Sequence, residues 1–102
     1  MTNLYNPDYT CTPGEILLEE YMQSMNLSPE DVASYTRMTV TKVNKIINAE
    51  IPVDMDIAMR LGKLFGTSAE FWLNLQNMME SRELLNDPTF QSMIESIPTL
   101  NM

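Results

Sequence analysis

Ser28-Pro29-Glu30-Asp31-Val32-Ala33-Ser34-Tyr35-Thr36-Arg37-Met38-Thr39-Val40-Thr41-Lys42-Val43-Asn44-Lys45-Ile46-Ile47-Asn48 is the stretch that decides the fold. Ser28 is a hydroxyl cap, Pro29 suits the first helical position because its missing N–H would be unpaired there, and Glu30 and Asp31 face the positive end of the helix dipole. Val32, Ala33 and Tyr35 give this short helix an apolar side. Thr36-Arg37-Met38 breaks it, and Thr39 caps a second helix running from Val40 to Asn48. Val43, Ile46 and Ile47 recur there at spacings of three and four, so that face enters the core and Thr41, Lys42, Asn44 and Lys45 point outward.

The same punctuation continues in both directions. Upstream, Thr12-Pro13-Gly14-Glu15 starts a helix with Leu17, Tyr21 and Met25 along one face, Leu18 and Met22 beside them, and Asn26-Leu27 at its end. Downstream, Ala49 to Val53 is a loop, and Asp54 or Asp56 caps a helix with Ala58, Leu61 and Phe65 inside and Gly66 as a left-handed stop. Thr67-Ser68-Ala69-Glu70 reads as a capping box for the next helix. Its Phe71, Trp72, Leu75, Met78 and Met79 are too many apolar residues for one narrow stripe, so this helix should meet both its own core and a partner. Asp87-Pro88 opens a last short helix with Phe90, Met93, Ile94 and Ile97 on one side, ended by Pro98. No alternating run suggests a strand, and the expectation is an all-α fold. We expect an N-terminal arm (1–11), one domain (12–85) and a C-terminal helical extension (86–102).

Composition narrows the function. The 102 residues include 6 Lys and Arg against 14 Asp and Glu, a net charge of -8 that opposes broad electrostatic attraction to nucleic acid or anionic membrane. With no His and a single Cys11, a His-based dyad, a Cys/His zinc site and an internal disulfide are all excluded. We expect no cofactor, no metal and no catalytic set, since the paired acids Glu19-Glu20 and Glu30-Asp31 diverge by about 100° on a helix and read as solvated faces. Cys11 reads as an incidental thiol in a loose arm. The ten Met read mainly as core filler, with Met78 and Met79 reserved for a partner. Neither a signal peptide nor a membrane span is legible, and a reducing cytoplasm fits best.

The charge is unevenly spread. Residues 32 to 49 hold Arg37, Lys42 and Lys45 and no acid, a local +3 within a chain whose remainder carries -11. Two short helices joined by a tight turn, the second anchored by apolar residues and exposing Thr, Lys and Asn, have the form of a helix-turn-helix DNA reader. Lys donates to the guanine edge and Asn pairs in bidentate fashion with adenine, so Lys42, Asn44 and Lys45 are the expected base-reading groups, with Thr41 beside them and Arg37 on the phosphate backbone.

Over roughly residues 12 to 79 the chain resembles the HigA-type antitoxins, or virulence-associated protein I group, among the lambda-repressor-like helix-turn-helix proteins. The resemblance is carried by Pro13-Gly14-Glu15-Ile16-Leu17-Leu18-Glu19-Glu20, Val43-Asn44-Lys45-Ile46-Ile47-Asn48, Asp56-Ile57-Ala58-Met59-Arg60-Leu61 and above all Gly66-Thr67-Ser68-Ala69-Glu70-Phe71-Trp72-Leu73-Asn74-Leu75-Gln76. It implies a five-helix domain that dimerises, binds a palindromic operator in its own promoter and neutralises a HigB-type ribosome-dependent ribonuclease. It further implies a reading surface from Thr39 to Lys45 and a dimer interface on the helix from Glu70 onward, where the wide apolar surface of Phe71, Trp72, Leu75, Met78 and Met79 is the expected contact. Three features depart from the pattern. Arg37 stands where the family usually has a turn glycine, Ala49, Glu50 and Ile51 stand where relatives usually have a glycine and then basic residues after the reading helix, and Thr12 replaces a His.

Two other readings share these residues. One is a solitary regulator with no toxin. The other is an acidic interaction module that keeps the fold but has lost its operator, favoured by Glu50 and the excess acid and opposed by Lys42, Asn44 and Lys45.

Overall fold

Oxygen-bearing side chains cap all six α-helices of the computed structural model, which describes residues 11–100. Thr12 caps α1 (Pro13–Ile16), Ser28 caps α2 (Pro29–Thr36), Thr39 caps α3 (Val40–Ile47), Asp54 caps α4 (Met55–Phe65), Ser68 caps α5 (Ala69–Leu85) and Asp87 caps α6 (Pro88–Glu95). Among the described residues there is no strand, and the expected all-α fold is observed. Asp31 closes a reciprocal box with Ser28, whose backbone N–H and then hydroxyl hold the Asp31 carboxyl below the usual carboxylate range. The box expected between Thr67 and Glu70 does not form. Ser68 takes the Phe71 N–H at 3.1 Å, which leaves the Thr67 hydroxyl to accept the Trp72 indole N–H at 2.8 Å.

Four helix ends share one device. Asn26, Arg37, Ala49 and Gly66 adopt left-handed backbone with φ of 54°, 61°, 58° and 71°. In each case the next N–H reaches a carbonyl five residues back: Leu27 to Met22, Met38 to Ala33, Glu50 to Lys45 and Thr67 to Gly62. This is the closing bond of a Schellman turn, and it needs a residue that tolerates positive φ. Glycine fills that position once, asparagine once, and Arg37 and Ala49 occupy it against steric preference. Ala49→Gly is therefore expected to stabilise the protein by about 1 kcal/mol, read as a raised urea midpoint with unchanged slope.

The first helix departs from expectation in its winding. After α1 the chain widens into a π-wound segment, Leu17–Met22, in which Gln23 N–H bonds Leu18 O at 2.9 Å. The i→i+5 pattern brings Leu17 and Met22 onto one buried face, where α-helical spacing would have separated them. Met25, expected on that face, is turned out and exposed. Tyr35 is exposed as well, because Thr36, four residues after Val32, takes the buried place and donates its hydroxyl to Val32 O at 2.6 Å. Met22 is the only Met in the described core; Met25, Met55, Met59 and Met93 lie on the surface, so thioethers are not the filler expected. Cys11 packs against the core rather than in a loose arm, and residues 1–10 of the expected arm lie outside the described residues.

One core joins α1 to the first half of α5, centred on Leu17, Met22, Val32, Val43, Ile46, Ile57, Leu61 and Trp72. Around Trp72, the rings of Tyr21, Phe71 and Phe65 stand at centroid distances of 5.3, 5.2 and 6.2 Å. The second half of α5 leaves this core and carries α6 with it. The molecule is accordingly long, 51 × 28 × 24 Å, with a radius of gyration of 16.2 Å against about 13 Å for a compact chain of this size. No residue of α6 is buried.

Candidate nucleic-acid interface

The α3 helix is fixed from three sides before any outer residue is considered. Val43 and Ile46 are fully in the core, Ile47 packs against it, and α2 crosses behind. At its far end the backbone of Gly14 lies directly on the carbonyls of Ile46 and Ile47, so close that a Cβ there would overlap both. The positive N-terminal end of one helix thus abuts the negative C-terminal end of another. Only glycine permits this approach.

With the inner face held, Thr41, Asn44 and Lys45 project together into solvent, joined by Asn48 one turn on. Thr39 is exposed at the start of α3, where its oxygen accepts the Lys42 N–H at 3.1 Å, leaving the hydroxyl proton able to donate outward. Arg37 is exposed at the turn. Lys42 lies off this face: its side chain leans toward α4, where the ammonium sits 3.9 Å from Asp56 Oδ2. Of the six residues expected to face DNA, five stand on the solvent side of α3 and its turn, and Lys42 is engaged sideways.

Asp56 belongs to a further arrangement that sequence distance concealed. Arg60, one turn along α4, donates Nε to Asp56 at 3.1 Å and Nη1 to the backbone carbonyls of Thr36 at 2.8 Å and Arg37 at 3.3 Å. Its guanidinium satisfies carbonyls at the end of α2, where a helix leaves acceptors unpaired. Arg37, Arg60 and Lys63 also border an open groove of about 550 Å³ beside Tyr35 and Met59. Cations other than the expected three thus gather near the turn, which counting along the chain could not reveal. Asn48 was equally missed, although its i+7 spacing from Thr41 was available.

Of the residues expected at a dimer interface, Trp72 and Leu75 are corrected. They are 0% and 4% exposed inside their own protomer and have no area to offer a partner. The wide apolar character of α5 arises because its first half is enclosed on several sides. Phe71, Met78 and Met79 are half-buried, and beyond them Leu84, Leu85, Met93, Ile94 and Ile97 expose apolar surface on the projecting α5–α6 arm.

The signature run from Gly66 to Gln76 proves to be a structural corner. Gly66 supplies the left-handed stop, Thr67 receives the indole, Ser68 caps α5, and buried Gln76 accepts the Val53 N–H at 2.9 Å. Among the described residues no helix is long and apolar enough to cross a membrane, and no three His, Cys, Asp or Glu side chains converge as a metal site would require.

A capped helix, a left-handed turn and a second helix anchored inside while polar outside define a helix-turn-helix domain of the lambda-repressor-like class. No protein-family profile matches the chain. It is 34% identical over 89 residues to the HTH-type transcriptional regulator YbaQ of Escherichia coli K12, spanning 87% of this chain and 79% of that one. Over 64 residues it is 39% identical to virulence-associated protein I of Dichelobacter nodosus, 63% of this chain and 59% of that protein. The structure of Pseudomonas aeruginosa antitoxin HigA with the higBA promoter superimposes with a TM-score of 0.79 at 33% identity, covering 90% of this chain and all of that one. The chain belongs to this family of HTH-type regulators and HigA antitoxins.

Proposed function

We propose that this protein is a sequence-specific transcriptional repressor, binding a palindromic operator as a homodimer, and that it is the antitoxin of a HigB-type ribonuclease. The observation that carries the reading is the agreement over nine-tenths of the chain with an antitoxin solved on its promoter, together with the outward polar face of α3. In this reading Thr41, Asn44 and Lys45 meet base edges, Thr39 and Arg37 meet phosphates, and Lys42 serves from the flank. The protein acts by binding rather than catalysis, without a cofactor, in the cytoplasm where its operator and toxin are. Residues 12–85 form the DNA-binding and dimerisation domain and the helix Pro88–Glu95 its extension, residues 101 and 102 of the expected 86–102 segment lying outside the described residues.

The dimer contact we assign to Phe71, Met78 and Met79, continued by the exposed apolar residues of the α5–α6 arm. An eight-residue helix with no buried residue is too short to persist alone, and a second copy supplies the missing cover. Such a dimer sets two α3 helices on half-sites about 34 Å apart. Sedimentation at micromolar concentration should return a dimer, and a strict monomer would contradict the paired half-site arrangement.

Substitution at the reading face tests the proposal. Asn44→Ala is expected to weaken the preferred operator by about 1 to 3 kcal/mol with little change on random DNA, as a lost base contact does. Arg37→Ala should weaken both alike. Equal losses on both duplexes for Asn44→Ala would remove it from base reading.

A further inference from the structure

Arg60 and Asp56 are neither on the reading helix nor on its turn, yet they touch both. Arg60 holds two carbonyls at the end of α2, including that of Arg37, one of the three non-glycine residues kept in left-handed backbone among the described residues. The turn sets the angle between α2 and α3, and a side chain from α4 pins its carbonyls. Asp56, held by Arg60 through both carboxylate oxygens at 3.1 and 3.2 Å, then faces the Lys42 ammonium. An ion pair this exposed and this long adds little to stability. Its consequence is electrostatic: Asp56 places a negative charge beside one of the few cations available for phosphates.

We infer that Arg60 and Asp56 are positioning residues for DNA recognition, Arg60 fixing the turn that aims α3 and Asp56 restraining Lys42 so that the duplex meets only part of its charge. The inference rests on α3 reading DNA. It gives the two residues opposite signs, which a role in folding alone does not. Loss of Arg60 frees the turn and blurs sequence discrimination. Loss of the Asp56 charge releases Lys42 to the backbone and strengthens binding, most visibly where binding is electrostatic alone.

The experiment titrates wild type, Asp56→Asn, Arg60→Met and Arg60→Lys against a selected operator and a random duplex across a salt series, with amide hydrogen exchange on the free proteins. Asp56→Asn should tighten random-duplex binding about fivefold near 0.1 M salt and steepen the log-log salt slope by roughly 1.8 per dimer, one released cation in each protomer. Arg60→Met should weaken the operator at least about tenfold and the random duplex no more than about threefold, with exchange at the Met38 amide at least about tenfold faster, since that N–H closes the turn onto Ala33. Arg60→Lys, keeping the charge and one donor, should recover part of both effects. Unchanged or weaker binding for Asp56→Asn, or Arg60→Met with unaltered Met38 exchange and unaltered discrimination, would overturn the inference while leaving the DNA reading standing. If wild type binds neither duplex at low salt, the DNA reading fails and this inference falls with it.

Discussion

Trp72→Ala is expected to lower the free energy of unfolding by about 3 to 5 kcal/mol, a large share of the 5 to 15 typical of a small domain. The indole is completely enclosed, stands among three other rings and donates its N–H to Thr67. Truncation removes the transfer energy of the largest core side chain and leaves a cavity between the π-wound segment, α4 and α5. Because the protein has a single Trp, urea unfolding followed by far-UV circular dichroism is the suitable measurement, the tryptophan emission being lost in the variant. Trp72→Phe, which keeps much of the ring and loses the N–H, should fall well short of the alanine loss. A loss under about 1 kcal/mol for Trp72→Ala would contradict its place at the centre of the core.

Gly14→Ala is the second large effect and bears more directly on function. A methyl group at this position meets the Ile46 and Ile47 carbonyls, and backbone offers no rotamer through which to yield. Overpacking of this kind costs about 3 kcal/mol, and relief requires α1 and the end of α3 to separate. Operator affinity should fall even at temperatures where the variant remains folded, because α3 is held at that end by this contact. Gly66→Ala is the control. It has open space around it and suffers only left-handed backbone, for about 1 kcal/mol. Equal losses for the two variants would show that close packing at Gly14 is not what its glycine supplies.

These contrasts bear on what the amino-acid sequence made legible. The caps at Thr12, Ser28, Thr39 and Asp87 and the stop at Gly66 were readable because they depend on residues within one helical turn. So was the outer face of α3, where helical spacing alone separates Thr41, Asn44 and Lys45 from Val43 and Ile46. The π-wound turn was not, since its cause lies in packing that draws Leu17 and Met22 to one side, and Met25 was consequently misplaced. The core spacing of its neighbours marks Trp72 as a packed anchor, as observed, but its place with Leu75 in the expected interface shows that a helix rich in apolar residues looks the same whether its several faces are covered by its own chain or by another. Arg60 escaped notice for a related reason. Its partners on the turn lie 23 and 24 residues away, and no periodicity encodes a side chain reaching between helices.

The acidic balance of the chain sharpens the central claim, which is that a protein of net charge -8 binds DNA through one small cationic surface. With Lys42 restrained, Arg37 and Lys45 leave a dimer roughly four phosphates to neutralise and a log-log salt slope of about -3.6, and full use of Lys42 brings it to about -5.4 at most. The most direct measurement is selection from random duplexes at low salt, followed by titration of the enriched sequence across salt concentrations. The account predicts a palindromic sequence with half-sites one helical turn apart, bound by a dimer with a slope no steeper than about -5.4. Failure to enrich any duplex would contradict it and leave the fold as an acidic interaction module, for which Glu50→Lys, restoring a cation just after α3, is the variant to examine.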